Sequence, residues 1–161
     1  MPAETLRFIL DGRAVSVTAE PSLPLATVLR EKCGAQGVRV ACARAVCGAC
    51  TVLIDGVPAA ACATFAYKAE GRRIDTTMAA AESGDALHTL RDAFTRQGAF
   101  QCGYCTGGFL MLARALLAAH PNPDRDTIRE WLSSGVCRCT GYGGIIEAIE
   151  DAAATLRGMP A

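Results

Sequence analysis

The chain has 161 residues, 51% of them hydrophobic and 20% charged, and a formal net charge of +0. That balance gives no case for electrostatic nucleic-acid binding, and the length suits one domain or two small ones. The opening MPAETLRFILDG is not a basic leader with a long apolar run, and no stretch reaches the ~18 continuous apolar residues of a membrane helix, so neither a secretory peptide nor a transmembrane segment is expected. Nine cysteines in such a chain argue for metal rather than disulfides, because cytosolic thiols stay reduced; the expected compartment is the cytoplasm. The apolar excess, inflated by alanine, suggests surface that a partner covers.

In chain order, residues 6–10 and 14–18 read as two strands around an Asp11-Gly12 turn, with Val15 and Val17 alternating as on a half-buried strand. Pro21 and Pro24 break the pattern, and 25–32 reads as a short helix burying Leu25, Val28 and Leu29. Next comes ACARAVCGACTVLIDGVPAAAC, residues 41–62. Its Cys42, Cys47 and Cys50 are spaced C-x4-C-x2-C, the plant-type iron–sulfur spacing, which a later cysteine completes. Gly48 and the alanines let backbone N–H groups approach the sulfurs, and an anionic four-thiolate core needs such donors. A hairpin, strand 51–54 with its Asp55-Gly56 turn, returns Cys62 to the loop. Residues 72–76 supply one more short strand behind Gly71, and the first unit is expected to end near residue 80. This order is that of a small ferredoxin-type α+β domain.

From about Ser83 the pattern turns helical. Asp85 caps a helix to about Gln97 with Leu87, Leu90, Ala93 and Phe94 on one face, and Gly98 ends it. QCGYC, with Cys102 and Cys105, opens a helix that is apolar nearly all round and is expected in the middle of a bundle. Pro121-Asn122-Pro123-Asp124 stops it and caps a helix over 125–133. Cys137-Arg138-Cys139-Thr140-Gly141-Tyr142 follows, and a last helix carries Ile145, Ile149, Ala152 and Leu156. In an antiparallel helix pair the start of the first and the end of the second are neighbours. C-x2-C-x31-C-x-C therefore closes into a second four-thiolate site near the positive end of a helix dipole, with Gly103 and Gly141 giving room. Two quartets use eight of the nine cysteines; Cys33 is left as a small buried hydrophobe.

Cysteine quartets also hold zinc, but zinc ribbons usually pair C-x2-C units, unlike C-x4-C-x2-C beside CRCTGY. His88 and His120 read as surface or helix-end residues and Trp131 as bundle core. Arg138 either tunes cluster charge or meets a partner, and Tyr104 and Tyr142 pack around the cluster. Gly141, Gly143 and Gly144 do not form a nucleotide fingerprint, so FAD is expected elsewhere.

CGACTVLIDG, QCGYCTGG and CRCTGY together resemble the small iron–sulfur subunit of the molybdenum hydroxylases: xanthine dehydrogenases, aldehyde oxidoreductases and aerobic carbon monoxide dehydrogenases. The resemblance runs from about Leu6 to Leu156, and the short gap between Cys50 and Cys62 favours this family over ordinary plant-type ferredoxins. It implies an α+β chain: an N-terminal plant-ferredoxin-like β-grasp domain (1–80) followed by an all-α four-helix 2Fe–2S-binding domain (81–161). It further implies two 2Fe–2S clusters, on Cys42, Cys47, Cys50 and Cys62 and on Cys102, Cys105, Cys137 and Cys139. Its partners would be a large subunit binding a molybdopterin dinucleotide and a medium FAD-binding subunit, in a dimer of heterotrimers. Electrons would pass from the molybdopterin to the second cluster, then the first, then FAD, with Gln101 and Cys139 against the pterin. Ala41 and Ala43 stand where the family has glycine, Thr106-Gly107-Gly108 replaces Thr-Pro-Gly, and Ser134-Gly135 replaces Gly-Asn. Two alternatives remain at this stage: a free-standing two-cluster carrier, against which a buried helical cluster and the neutral charge speak, and a two-subunit relative without FAD that delivers electrons to a cytochrome.

Overall fold

The computed structural model describes residues 2–79 and 85–158. The expected change to helical character near Ser83, and the expected boundary at 80, lie outside the described residues. The chain is mixed α+β. Strands β1 (Glu4–Leu10) and β2 (Arg13–Ala19) form an antiparallel hairpin, β3 (Thr51–Ile54) and β4 (Val57–Ala60) a second, and β5 (Arg73–Asp75) lies between them in the order β2-β1-β5-β3-β4. The β1–β5 pairing is parallel and the others antiparallel. Both hairpins turn on an Asp-Gly pair with positive φ at each residue, 50° and 81° at Asp11-Gly12 and 50° and 84° at Asp55-Gly56. This is the backbone whose twist matches paired strands.

The expected helix over 25–32 is present but not regular. One α turn, α1 (Leu25–Thr27), runs on as a π-helical turn over Val28–Lys32. Leu25, Val28 and Leu29 are buried, as the spacing predicts, beneath Leu6, Phe8, Val52 and Ile74 of the sheet. Cys33 packs at the margin of this core, half-buried rather than buried; burial pushes its thiol up.

Four helices follow: α2 (Ala86–Arg96), α3 (Thr106–Ala119), α4 (Arg125–Leu132) and α5 (Gly143–Leu156). Asp85 and Asp124 cap α2 and α4, their carboxylates accepting from Leu87 N and Thr127 N at 2.7 Å each. These bonds satisfy amides that a helix start leaves unpaired. Phe94, Phe109, Leu116, Ile128, Ile145 and Ile149 form the second core. The apolar circumference of α3 has a different cause from the one expected. One side enters the helical core, while Met111 and Ala115 pack on Leu53 of β3, so α3 lies between helices and sheet. Successive residues of β3 point to opposite faces, with Val52 in the sheet–helix core and Leu53 against α3; a strand covered on both sides reads as an unbroken apolar run. Trp131 is only half-buried, edge-on to His120 at 6.1 Å, and corrects the reading of it as bundle core. Among the described residues no helix is long and apolar enough to cross a membrane.

A buried charge also joins the two parts. The Asp75 carboxylate is 7% exposed, accepts from Arg73 Nε at 3.0 and 3.1 Å, and faces Arg114 Nη1 of α3 at 3.8 Å. Arg114 Nη1 is itself buried with no hydrogen-bond partner among the described residues. Removing one member of such a group strands the other. Asp75→Ala is expected to cost about 2 kcal/mol, below the range for fully buried pairs because Arg73 stays half in solvent. Denaturant titration measures the loss, and Asp75→Ala with Arg114→Met should lose less than Asp75→Ala alone.

Candidate functional site

The loop over 41–50 is shaped to present N–H groups inward. Ala43 and Ala45 both adopt left-handed backbone (φ 53° and 58°), as does Gly48 (φ 68°). Such a conformation costs an alanine ~1–2 kcal/mol, so the loop stores strain where glycine would store none. Alternating handedness turns successive amides to one side, as in an anion-binding nest. Cys42 Sγ accepts from Arg44 N at 3.5 Å and from Val46 N and Cys47 N at 3.4 Å. Cys62 Sγ accepts from Ala45 N at 3.3 Å, and Cys50 Sγ from Cys62 N at 3.5 Å. The donors on Cys42, chiefly the Arg44, Cys47 and Val46 amides, pull its thiol down to about 6. Burial, then the neighbouring Cys62, pushes Cys50 up to about 11.

The second group assembles from the chain before α3 and the chain after α4. Cys102 and Cys105 precede α3, with Cys105 at its N-cap, rather than lying within its first turn. Cys139 Sγ lies 3.8 Å from Cys102 Sγ, and the Cys105 thiol contacts that of Cys137. Cys137 is buried, and its sulfur accepts from the Thr140 hydroxyl at 3.1 Å and the Thr140 amide at 3.4 Å. Burial alone would raise this thiol, but the Thr140 and Cys139 donors outweigh it and the net direction is down. Cys105 is pushed up to about 12 by burial and then by Cys137, and Cys139 is raised chiefly by the Cys102 thiol.

The structure thus brings together all eight cysteines singled out from the sequence, in two sets of four. Within each set the thiols stand in pairs: Cys42 with Cys47, Cys50 with Cys62, Cys102 with Cys139, Cys105 with Cys137. Paired thiols suit a two-iron core, in which each iron takes two of the four thiolates. Backbone donors hold Cys42 low and the Thr140 and Cys139 donors hold Cys137 low, while burial first and a neighbouring thiol second hold Cys50 and Cys105 high.

Several expectations change in detail. Gly103 and Gly141 have open space around them, and their role is positive φ (76° and 64°), not room. The close approaches occur elsewhere: a Cβ at Gly108 of α3 would run into the Gly48 carbonyl oxygen, and one at Gly48 would lie 2.8 Å from the Ser134 carbonyl oxygen. Along this seam Val136 N donates to Cys47 O at 2.9 Å, so a cysteine of one set is bonded to the residue before a cysteine of the other. The second set is not buried in the lone chain either. Cys102 and Cys139 are exposed, beside Phe100 and Tyr104, each 44% exposed. Gln101 is exposed next to Cys102, and among the described residues neither it nor Arg138 makes a side-chain hydrogen bond. Tyr104 reaches back to Val40 O at 2.8 Å with Arg39 over its ring, and Tyr142 stacks edge-on to Phe109 at 5.8 Å. Sequence reasoning missed Thr140, Val136 and Gly108; only Thr140 had a local signal, a hydroxyl three residues after Cys137.

Two family models match, a 2Fe-2S iron-sulfur cluster binding domain over residues 24–100 and a [2Fe-2S] binding domain over residues 76–150, and each spans one cysteine set. The chain is 43% identical over 143 residues to the nicotine 6-hydroxylase small subunit of Paenarthrobacter nicotinovorans, covering 89% of this chain and 86% of that protein. It is 39% identical over 148 residues to the nicotinate dehydrogenase small FeS subunit of Eubacterium barkeri, covering 92% and 94%. The crystal structure of quinoline 2-oxidoreductase from Pseudomonas putida 86 superposes with a TM-score of 0.90 at 40% identity, over 98% of both chains. With both domain models, these relatives and that fold agreeing, the chain belongs to the small iron–sulfur subunits of the molybdenum hydroxylases, electron-transfer components of oxidoreductase complexes that carry two 2Fe–2S clusters.

Proposed function

We propose that Cys42, Cys47, Cys50 and Cys62 hold the first cluster, and Cys102, Cys105, Cys137 and Cys139 the second. Each cluster, when bound, takes up and returns one electron at a time. The division is a β-grasp, plant-ferredoxin-like domain over 1–80 and a four-helix domain over 81–161, supported by the strands lying before residue 76 and helices α2–α5 after residue 85. The observation that carries the reading is the main-chain bond from Val136 N to Cys47 O, 2.9 Å, which couples the two sets directly. A chain built merely to store two clusters has no need of it.

Cys102 and Cys139 present their sulfurs at one surface, beside Gln101, where the molybdopterin dinucleotide of a large subunit would deliver electrons. Gln101, with no partner among the described residues, is placed to hydrogen-bond the pterin, and Cys139 lies beside it. Cys47 and Val136 bridge inward, and the exposed loop of Arg44 to Val46 around Cys42 offers the exit, to FAD in a medium subunit. The assembly is a dimer of heterotrimers, and all nine cysteines are unpaired, as in a cytoplasmic protein. The exposed apolar edge at Phe100 and Tyr104 supports a subunit over a free carrier, because a partner would cover it.

Iron and acid-labile sulfide on anaerobically purified protein, with EPR after dithionite reduction, test the assignment. About four irons and four sulfides per chain with two distinct 2Fe–2S signals are expected. Half that iron, or zinc in its place, overturns it.

A further inference from the structure

We infer that the Thr140 hydroxyl sets the reduction potential of the second cluster, by donating a hydrogen bond to the sulfur of Cys137. The inference rests on the proposed assignment of Cys137 as a ligand and adds a positioning residue to it. Among the described residues Thr140 provides the only side-chain hydroxyl aimed at any of the eight sulfurs; apart from the paired thiols themselves, the donors on Cys42, Cys50 and Cys62 are backbone amides. Its direction is fixed. Thr140 Oγ1 accepts from Tyr142 N at 3.2 Å, which leaves its one proton for the Cys137 sulfur at 3.1 Å.

The turn carrying it is locked from both ends. Gly141 and Tyr142 are both left-handed (φ 64° and 68°), and the Tyr142 hydroxyl accepts from Cys137 N and donates to Gly135 O, both at 3.0 Å. The Tyr142 ring is pinned against Phe109. Rotation of the hydroxyl away from the sulfur would break the bond to Cys137. Reduction adds one electron and no proton, so the charge on the thiolates grows and a donor already in place favours the reduced form. Among the described residues the first set lacks such a group, so the effect falls on one cluster and raises its potential relative to what it would be without the hydroxyl.

The test is an EPR-monitored redox titration of the purified complex. In Thr140→Val one of the two one-electron steps should move, its oxidised-to-reduced ratio at a given potential rising about tenfold, or about 59 mV for a one-electron couple. The other step should stay, and Thr140→Ser should stay close to wild type. Cys105→Ser, by altering the same signal, identifies the step that moves. Thr140→Ala, which cannot overpack, replaces the valine variant should the latter lose iron. An unmoved step with about four irons per chain overturns this inference alone. So do two steps that move together, or a serine variant that behaves like valine. About two irons per chain in the wild type overturns the cluster assignment beneath it.

Discussion

Gly108→Ala is expected to lower the melting temperature by ~10 °C and to strip iron from the protein, although it adds a single methyl group to a helix. Alanine is the better helix former, so local propensity favours the change. The seam opposes it. The new Cβ would meet the Gly48 carbonyl oxygen and lie 3.0 Å from the Gly48 carbonyl carbon and 3.1 Å from Ala49 Cα, all main chain. Neither side can give. Gly48 is left-handed and fitted against Ser134 O and Gly135, and α3 is fixed between two cores. Overpacking at such a point costs ~3 kcal/mol, which for a chain of this size corresponds to about the stated fall in melting temperature. Because Gly48 follows Cys47, the displacement also lengthens the Val136–Cys47 bond. Gly143→Ala, at a helical position with open space and no positive φ, serves as the neutral comparison. Calorimetry with iron analysis reads both; a Gly108→Ala protein that melts with the wild type and keeps its iron would show that the seam tolerates separation.

The seam also marks where sequence reading stops. What is local was legible. The two Asp-Gly turns require positive φ at consecutive positions and announce hairpins, and Asp85 and Asp124 announce helix starts. The cysteine spacings are legible for the same reason, since a loop of fixed length around an anion leaves few arrangements. What depends on distant partners was not. Gly108 reads as one small residue among several until Gly48 is placed against it, and nothing in the short strand over 72–76 marks Asp75 as buried until Arg114 reaches it. The apolar circumference of α3 correctly signalled burial all round but could not say that a sheet supplies one side. Periodicity found the buried positions of 25–32 yet missed the π-helical turn, because Leu25, Val28 and Leu29 face inward in either geometry. Ala43 and Ala45 hid their left-handed backbone, alanine being no signal for it.

Cys137→Ala is expected to halve the iron, from about four to about two per chain, and to leave one 2Fe–2S signal unaltered. Electron delivery through the complex should fall more than about a hundredfold, beyond what the loss of an outer-shell partner costs. Serine substitutions ask a finer question, because an oxygen ligand can retain the iron while changing its spectrum. If each thiol pair serves one iron, Cys102→Ser and Cys139→Ser perturb the same iron and yield one altered line shape. Cys105→Ser and Cys137→Ser share another, with the first cluster unchanged in all four. The 3.8 Å approach of Cys102 and Cys139 and the Cys105–Cys137 contact demand this grouping, and chain order alone would have grouped Cys102 with Cys105. If the large subunit covers the exposed Cys102 and Cys139, as proposed, that pair should also respond more to its removal than the buried Cys137. EPR of the four serine variants, with and without the large subunit, decides the matter. Line shapes that group Cys102 with Cys105 would mean that the pairing in the isolated chain is not the pairing on iron.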